Sequence, residues 1–171
     1  MRINVFNQTN YDINLKYYKF FLSNALKVSG IKSDVNLLFS DDKYIRELNK
    51  KFRNKNKATD VLTFPAGDIE EGGDIVISYQ WVKNRYEEKK IKKNIIKLII
   101  HSVLHLSGVH HSYSKKSLKE NYKKMKELYI KIISYIKIKR KIKKYNTEEN
   151  INIWILMWNQ IIVQWIEDGL R

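Results

Sequence analysis

The four histidines of the chain all fall within the eleven-residue stretch HSVLHLSGVHH, residues 101–111. His101 and His105 are four residues apart inside the apolar run NIIKLIIHSVLHLSG, which has the length of a helix. Side chains at positions i and i+4 lie on the same face of a helix, so these two imidazoles are predicted to point at one spot. Gly108 is predicted to end the helix in a left-handed conformation, after which the chain can fold back.

Folding back at this point would bring a third imidazole from the end of the run beside the first two. Three neutral imidazoles suit Zn²⁺ or a similar borderline metal, and without a further close ligand the fourth position goes to water. That pattern is typical of a catalytic zinc, not of a structural one, and we expect one Zn²⁺ per chain. The alternative is a histidine-rich turn that is merely buried or pH-sensitive.

The charge balance indicates an anionic partner. The chain has 171 residues, with 33 Lys and Arg against 18 Asp and Glu, a formal net charge of +15. Between Lys83 and Lys144 there are 20 basic residues and 4 Glu, so this segment carries the excess. Such a balance favours nucleic acid or an anionic surface as partner. The alternative is an uninformative solvated surface, because a composition rich in Lys, Ile and Asn can also reflect biased codon supply.

The length fits one domain with a sizeable core, with room for an appendage. Cysteine is absent, which excludes disulfides and thiolate metal sites. The N-terminal residues show no unbroken apolar segment followed by a small-residue cleavage site, so no secretory signal is predicted. We expect a cytoplasmic protein.

The hydrophobic pattern predicts an α+β fold with a small mixed β-sheet packed against helices, the histidine helix among them. Strands are predicted over residues 2–6, 35–39, 61–65 and 73–78, the last two forming a hairpin. Helices are predicted from 14 to near Gly30, after an N-cap at Ser40, over 80–89 behind a cap at Ser78, from about 91, and over 114–144. The polar stretch Arg53–Asp60 lacks periodicity and is predicted to be a loop.

Residues 137–171 form a separate segment, a basic run followed by a tryptophan-rich stretch predicted to be an extra C-terminal helix. Its apolar stripe is about sixteen residues long and interrupted by polar side chains, too short and too polar for a membrane span of roughly 20 apolar residues. Docking on the body of the protein, or pairing with a second copy, is the favoured interpretation. An interfacial membrane anchor is the alternative, because lysines precede the helix and tryptophan favours the interface.

The histidine run closely resembles the motif H-G-x-L-H-L-x-G-x-D-H, with a hydrophobic residue before the aspartate, of the bacterial YbeY endoribonucleases, also described as rRNA maturation factors. Upstream, ELNKKFRNKNKATDVLTFP is similar to that family's second block, L-N-x-x-x-R-x-x-x-x-x-T-D-V-L-S-F-P, with an aromatic residue before the arginine. GDIVIS resembles its third block. The resemblance covers about residues 1–136, which we expect to be the metal-dependent endoribonuclease domain, and leaves 137–171 without an assigned role.

The resemblance implies a zincin-like α+β fold with zinc held by His101, His105 and His111. It implies a zinc-dependent, single-strand-specific endoribonuclease that acts in ribosomal RNA maturation, at the 3′ end of the 16S small-subunit RNA, and in ribosome quality control. Candidate partners besides the RNA are a small-subunit ribosomal protein and an assembly GTPase. Arg53 is implied to be a functional basic residue near the metal; without the resemblance it would be interpreted as a solvated loop arginine. Thr59 and Asp60 are expected to support the site structurally.

Two positions depart from the family pattern. Ser102 replaces the glycine after the first histidine, and it is expected either to tighten helix packing or to bring a hydroxyl near the metal. His110 replaces the aspartate before the last histidine. Metal-bound histidines commonly donate to a carboxylate or carbonyl, so this loss is expected to weaken the site or shift its pH dependence. It also leaves two candidates for the third ligand, of which spacing and family favour His111.

Two other functions remain open. The i, i+4 histidine pair is also the core of the zinc peptidase motif H-E-x-x-H, whose glutamate acts as general base. Ser102 stands at the glutamate position here, so a peptidase is a remote alternative. A non-catalytic, zinc-stabilised RNA-binding factor in ribosome assembly is the closer alternative, because lysine contacts to phosphate would give sequence-blind, salt-dependent binding without cleavage.

Overall fold

A computed structural model of the chain describes residues 1–67, 72–109 and 114–144. Strands and helices alternate in the first half, and helices follow. In chain order the elements are β1 (Ile3–Asn7), α1 (Leu15–Val28), β2 (Val35–Ser40), α2 (Asp42–Arg53), β3 (Val61–Pro65), β4 (Gly73–Ser78), α3 (Tyr79–Arg85), α4 (Glu88–Leu106) and α5 (Lys115–Lys144). This order and class confirm the predicted α+β fold.

The sheet is mixed and has the strand order β1-β2-β4-β3. β1, β2 and β4 are parallel, whereas β3 pairs antiparallel with β4, which confirms the predicted hairpin. The two central strands, β2 and β4, are apolar and buried along most of their length. Burial on both faces explains why they appear in the sequence as short, nearly continuous apolar runs.

Helices cover both faces of the sheet. On β4, Ile75 and Ile77 point to one face and Val76 to the other, as the two-residue period of a strand requires. Val76 joins Ile45 of α2 and Leu62 of β3 in one buried cluster. On the opposite face α4 packs against β3 and β4 and also contacts α1 and α3. α4 therefore lies across the antiparallel end of the sheet, and this places its histidines beside β3.

Both ends of the second helix, α2, differ from the sequence prediction. Ser40 is not its N-cap: it is the last residue of β2, paired with Ser78, and it is fully buried. Asp41 has the extended backbone of a cap, and its carboxylate accepts a hydrogen bond from the Tyr44 N–H at 2.8 Å. Arg53 lies inside α2, not in a loop, because the helix continues until Asn54 adopts a left-handed conformation, φ 54°.

The helix predicted over residues 80–89 is shorter than expected. Ser78 does cap it, accepting a hydrogen bond from the Trp81 N–H at 3.1 Å. α3 nevertheless ends at Arg85 because Tyr86 is extended, and Glu87 then precedes a new helix. α4 therefore begins at Glu88, three residues before the predicted start.

The chain divides into two compact units, Met1–Tyr135 and Ile136–Arg171. The first contains the whole sheet and the histidine helix. Of the second, the structure describes only the end of α5, through Lys144. The predicted tryptophan-rich helix lies outside the described residues. No helix among those the structure describes combines the length and the apolar content needed to span a bilayer.

Candidate functional site

The imidazoles of His101 and His105 share one face of α4, one turn apart. Their Nε2 atoms are 3.0 Å apart, and their rings stand nearly perpendicular, at 86°. The helix ends directly after them. Gly108 takes the left-handed conformation, φ 78°, and the Val109 N–H donates to the Leu104 carbonyl oxygen at 2.9 Å. This is the predicted helix stop, built as a Schellman motif.

A cavity of about 850 Å³ opens beside the two histidines. It lies between the end of α2, strand β3 and the last turns of α4. Three further residues singled out in the sequence, Arg53, Thr59 and Asp60, line the same cavity. The remaining described lining residues are Lys55, Val61, Thr63, Pro65, Lys97, Leu98 and Met125. The structure thus brings Arg53 and the histidine pair into one recess although 48 positions separate Arg53 from His101.

A short segment after α2 carries Lys55 into the cavity. The buried Asn49 fixes this segment with two hydrogen bonds. Its side-chain Nδ2 donates to the Lys57 carbonyl oxygen at 2.7 Å, and its backbone carbonyl oxygen accepts from the Lys55 N–H at 3.2 Å. Arg46 adds a hydrogen bond from Nε to Asn56 Oδ1 at 2.9 Å. Hydrogen bonds from α2 therefore position the basic segment.

Thr59 and Asp60 connect this segment to β3. Asp60 Oδ1 accepts hydrogen bonds from the Thr59 hydroxyl at 3.0 Å and from the Val61 N–H at 2.9 Å. The Asp60 carbonyl oxygen accepts from the Ser78 N–H at 2.9 Å. These contacts tie the cavity wall to the sheet, which is a structural role.

The cavity is electropositive. Its described lining contains three cations, Arg53, Lys55 and Lys97, and one carboxylate, Asp60, whose Oδ1 is already engaged in two hydrogen bonds. A concave surface lined by an excess of one charge raises the local concentration of oppositely charged ligands. The site therefore suits an anion such as a phosphodiester.

Sequence reasoning missed three residues around the histidines. Lys97 lies four positions before His101, so the same i, i+4 rule could have found it. Met125 lines the cavity from α5, and Asn121, one turn before it, contacts His101. No local signal in the sequence identifies these two, because their position depends on how α5 packs.

The contact of Asn121 with His101 is buried. Asn121 is 6 % exposed, and its Nδ2 lies 3.3 Å from His101 Nδ1 and 3.7 Å from Met125 Sδ. Its Oδ1 is also buried and has no hydrogen-bond partner among the residues that the structure describes. The carboxamide is thus held against the outer nitrogen of the imidazole, the one that faces away from His105.

The spacing of the two imidazole nitrogens is close to the spacing that zinc requires. Two nitrogens bound tetrahedrally to Zn²⁺ at about 2.0–2.1 Å lie about 3.3–3.4 Å apart, close to the 3.0 Å between the two Nε2 atoms. The carbonyl end of a helix, where His105 sits, also favours a cation. In the described part of the chain no three His, Asp or Glu side chains converge on one point. His110 and His111 lie outside the described residues. The two imidazoles fit two positions of a zinc site.

The Ser102 side chain is not among the described residues that line the cavity. It is fully buried, and its Oγ has no hydrogen-bond partner among the described residues. Ser102 lies on a buried face of α4, which is consistent with the packing role, one of the two roles expected from the sequence. Its hydroxyl is not among the described groups that line the cavity.

Comparison with known proteins gives a family. A family model described as Endoribonuclease YbeY matches residues 4–137. The Endoribonuclease YbeY of Bartonella quintana is 37 % identical over 110 residues, 59 % of this chain and 69 % of that protein. Those of Bartonella henselae and Persephonella marina are each 33 % identical, over 75 % and 72 % of this chain and 84 % and 86 % of theirs.

A solved structure supports the same relationship. The solution structure of a Thermotoga maritima protein superposes with a TM-score of 0.57 at 25 % identity, covering 88 % of this chain and 99 % of that one. The family model spans the segments that supply Arg53 and the histidine pair. The chain therefore belongs to the Endoribonuclease YbeY family.

Proposed function

We propose that this endoribonuclease is zinc-dependent, cuts single-stranded RNA, and acts in ribosomal RNA maturation at the 3′ end of the 16S small-subunit RNA and in ribosome quality control. The observation that carries the proposal is the pair of imidazoles, Nε2 to Nε2 at 3.0 Å, in the same electropositive cavity as Arg53. Family membership confirms the predicted enzyme class, a hydrolytic endoribonuclease, with RNA as its substrate.

The proposed zinc ligands are His101, His105 and His111. The first two are supported by their geometry on α4, and the third by its spacing and by the resemblance of the histidine run to the family motif. A zinc ion held there would polarise a phosphodiester oxygen and lower the pKa of water to about 7. The chain has no cysteine, and no described carboxylate converges with the two histidines on one point, so the ligand set fits a catalytic zinc with an open fourth position.

The basic residues of the cavity bind the substrate backbone. Arg53 offers a planar set of donors that matches two phosphate oxygens, whereas Lys55 and Lys97 act as point charges. Cleavage of a phosphodiester increases negative charge on those oxygens, and fixed cations stabilise that charge best in the transition state. Arg53 is therefore the residue for which we propose a catalytic contact.

The shape of the site supports a single-stranded substrate. The histidines are half-buried and line a recess between α2, β3 and α4. A single strand can bend its backbone into such a recess and splay its bases, whereas a duplex presents a regular, stiff surface. We therefore expect the enzyme to cut single-stranded segments and to spare paired ones.

The other functions are less well supported. A peptidase of the H-E-x-x-H type needs a general base directly after the first histidine, and here Ser102 is buried in the helix interior. A non-catalytic assembly factor would use the same basic surface to bind RNA without cutting it. For the enzyme, a small-subunit ribosomal protein or an assembly GTPase would be the partner that presents the RNA. Cleavage itself separates the non-catalytic alternative from the proposal.

The test is an RNA cleavage assay with purified full-length protein. The substrates are a 16S precursor fragment with its 3′ extension, an unrelated single strand, and a duplex of the same sequence. Chelator should abolish cleavage of the single strands and added Zn²⁺ should restore it. His105→Ala should be inactive, while Asn94→Ala, on the same helix but not among the cavity residues, should match the wild type. Activity that survives both chelator and His105→Ala contradicts the zinc mechanism, and cutting at random sites in the precursor contradicts the 16S assignment.

A further inference from the structure

The contact between Asn121 and His101 joins α5 to the histidine helix inside the protein. Nδ2 of Asn121 lies 3.3 Å from Nδ1 of His101, and Nε2 of that same ring lies 3.0 Å from Nε2 of His105. The three side chains thus form a row of hydrogen-bond partners. A neutral imidazole carries one proton, so the orientation of the carboxamide and the position of that proton are coupled.

With the carboxamide oriented as observed, the donors and acceptors of the row are assigned in one way. Asn121 Nδ2 donates to His101 Nδ1, which places the ring proton of His101 on Nε2, and that Nε2–H donates to His105 Nε2. Each contact then has one donor and one acceptor. The observed orientation of the carboxamide, with Nδ2 toward the ring, is the one that this arrangement requires.

A metal on His101 Nε2 requires the opposite arrangement. If Nε2 held a metal, its lone pair would be occupied, the ring proton of the neutral imidazole would be on Nδ1, and two donors would face each other across the 3.3 Å contact. A half-turn of the carboxamide places Oδ1 there as acceptor. Oδ1, the other end of the carboxamide, has no hydrogen-bond partner among the described residues, so besides the contact to His101 the turn gives up only the long contact from Nδ2 to Met125 Sδ at 3.7 Å.

We propose that Asn121 is a positioning residue that turns its carboxamide when His101 binds zinc and holds the ring in the Nδ1–H tautomer. The inference rests on the zinc site of the proposed function. Asparagine suits both states because one end donates and the other accepts. An aspartate accepts only, so it would serve the zinc-bound state alone, and leucine of similar volume serves neither.

Zinc affinity measured by competition with a chromophoric chelator tests this. Asn121→Leu should bind zinc about 10- to 100-fold more weakly, the usual loss when a partner of a metal-bound histidine is removed. Asn121→Asp should bind at least as tightly as the wild type. In the metal-free protein Asn121→Asp should lower the Tm relative to wild type, because it places a carboxylate at a position only 6 % exposed. Leu128→Ala, a buried truncation on the same helix, should lower the Tm and leave zinc affinity unchanged.

A second measurement determines which ring nitrogen of His101 carries the proton. Long-range ¹H–¹⁵N correlation of the His101 ring should show the proton on Nε2 in the metal-free wild type and on Nδ1, in slow exchange, after zinc is added. In Asn121→Leu the zinc-loaded Nδ1 proton should exchange faster. Equal zinc affinity for Asn121→Leu and wild type would refute the role of Asn121 and leave the zinc site intact. The same conclusion follows if folded Asn121→Asp binds zinc no more tightly than Asn121→Leu. A wild type that binds no zinc refutes both proposals.

Discussion

The Nε2 atoms of His101 and His105 face each other at 3.0 Å because the two residues lie one turn apart in the last turns of α4. The helix fixes this spacing through its own backbone hydrogen bonds, and β3 and β4 hold the helix in place. Two of the proposed zinc ligands are therefore already placed side by side in the described fold, so the proposed binding requires little rearrangement of α4. The proposed third ligand, His111, lies outside the described residues.

The first prediction concerns that third ligand. His111→Ala should lose zinc, with affinity lowered more than about 100-fold, a larger loss than removal of an outer partner causes. His110→Ala should retain most of its zinc, because spacing and the family motif place the ligand at the last histidine. Metal analysis of the two purified variants after dialysis compares them directly. The opposite ranking would overturn the assignment of His111.

The second prediction concerns Arg53. Arg53→Ala should lower kcat/KM for RNA cleavage by about 10²-fold, the loss seen when one donor to a developing anion is removed. Arg53→Lys should recover only part of the activity, because an ammonium cannot contact two phosphate oxygens in one plane. Zinc content should not change in either variant. Lys50→Ala, an exposed cation on the same helix and outside the described cavity lining, is the matched control. Equal losses for Arg53→Ala and Lys50→Ala would mean that only net charge matters.

The third prediction concerns the support of the basic segment. Asn49 is 2 % exposed and donates to the Lys57 carbonyl oxygen at 2.7 Å. Asn49→Leu leaves that carbonyl without its donor, so the free energy of unfolding should fall by about 1–3 kcal/mol. RNA affinity should fall and its salt dependence should weaken, since Lys55 is no longer held in the cavity. Val35→Ala, a core truncation in β2, should reduce stability without changing the salt dependence. Unchanged RNA binding by Asn49→Leu would show that this hydrogen bond does not position the segment.

Local patterns predicted much of this architecture. The strands and the histidine helix were predictable because each is a short apolar run or a helical stripe whose signal lies within a few residues. The boundary at Arg53 was not, because α2 is mostly polar and its end depends on the left-handed Asn54. The apolar stripe of α2 ends at Phe52, so the hydrophobic period gives no signal for the one further residue, Arg53, at which the helix ends.

Long-range packing limited the prediction of the site. Lys97 follows the same four-residue spacing as the histidines and was accessible from the sequence. Asn121 was not, because a polar residue on a long basic helix has no local property that marks it as buried. Its role depends on the position of α5 against α4, which brings residues 20 positions apart into contact.

The last prediction concerns the pH dependence of stability. The Arg2 backbone N–H and its guanidinium donate to the Asp34 carboxylate at 2.6 and 2.8 Å and hold the pKa of Asp34 below its ordinary 3.8. Because the pKa is lower in the folded protein, this group stabilises the fold above about pH 4, and the stabilisation is lost as the pH falls through the folded pKa.

Asp34→Asn should therefore be less stable than the wild type at pH 6, and the two should converge as the pH falls toward 2. Arg2→Gln, which removes the guanidinium and keeps the backbone donor, should give an intermediate pH dependence. The contact is exposed, so added salt should shrink the difference. Urea unfolding midpoints at fixed ionic strength across this range measure it. A constant difference between wild type and Asp34→Asn at all pH values would show that the ionised carboxylate is not what stabilises the start of β1.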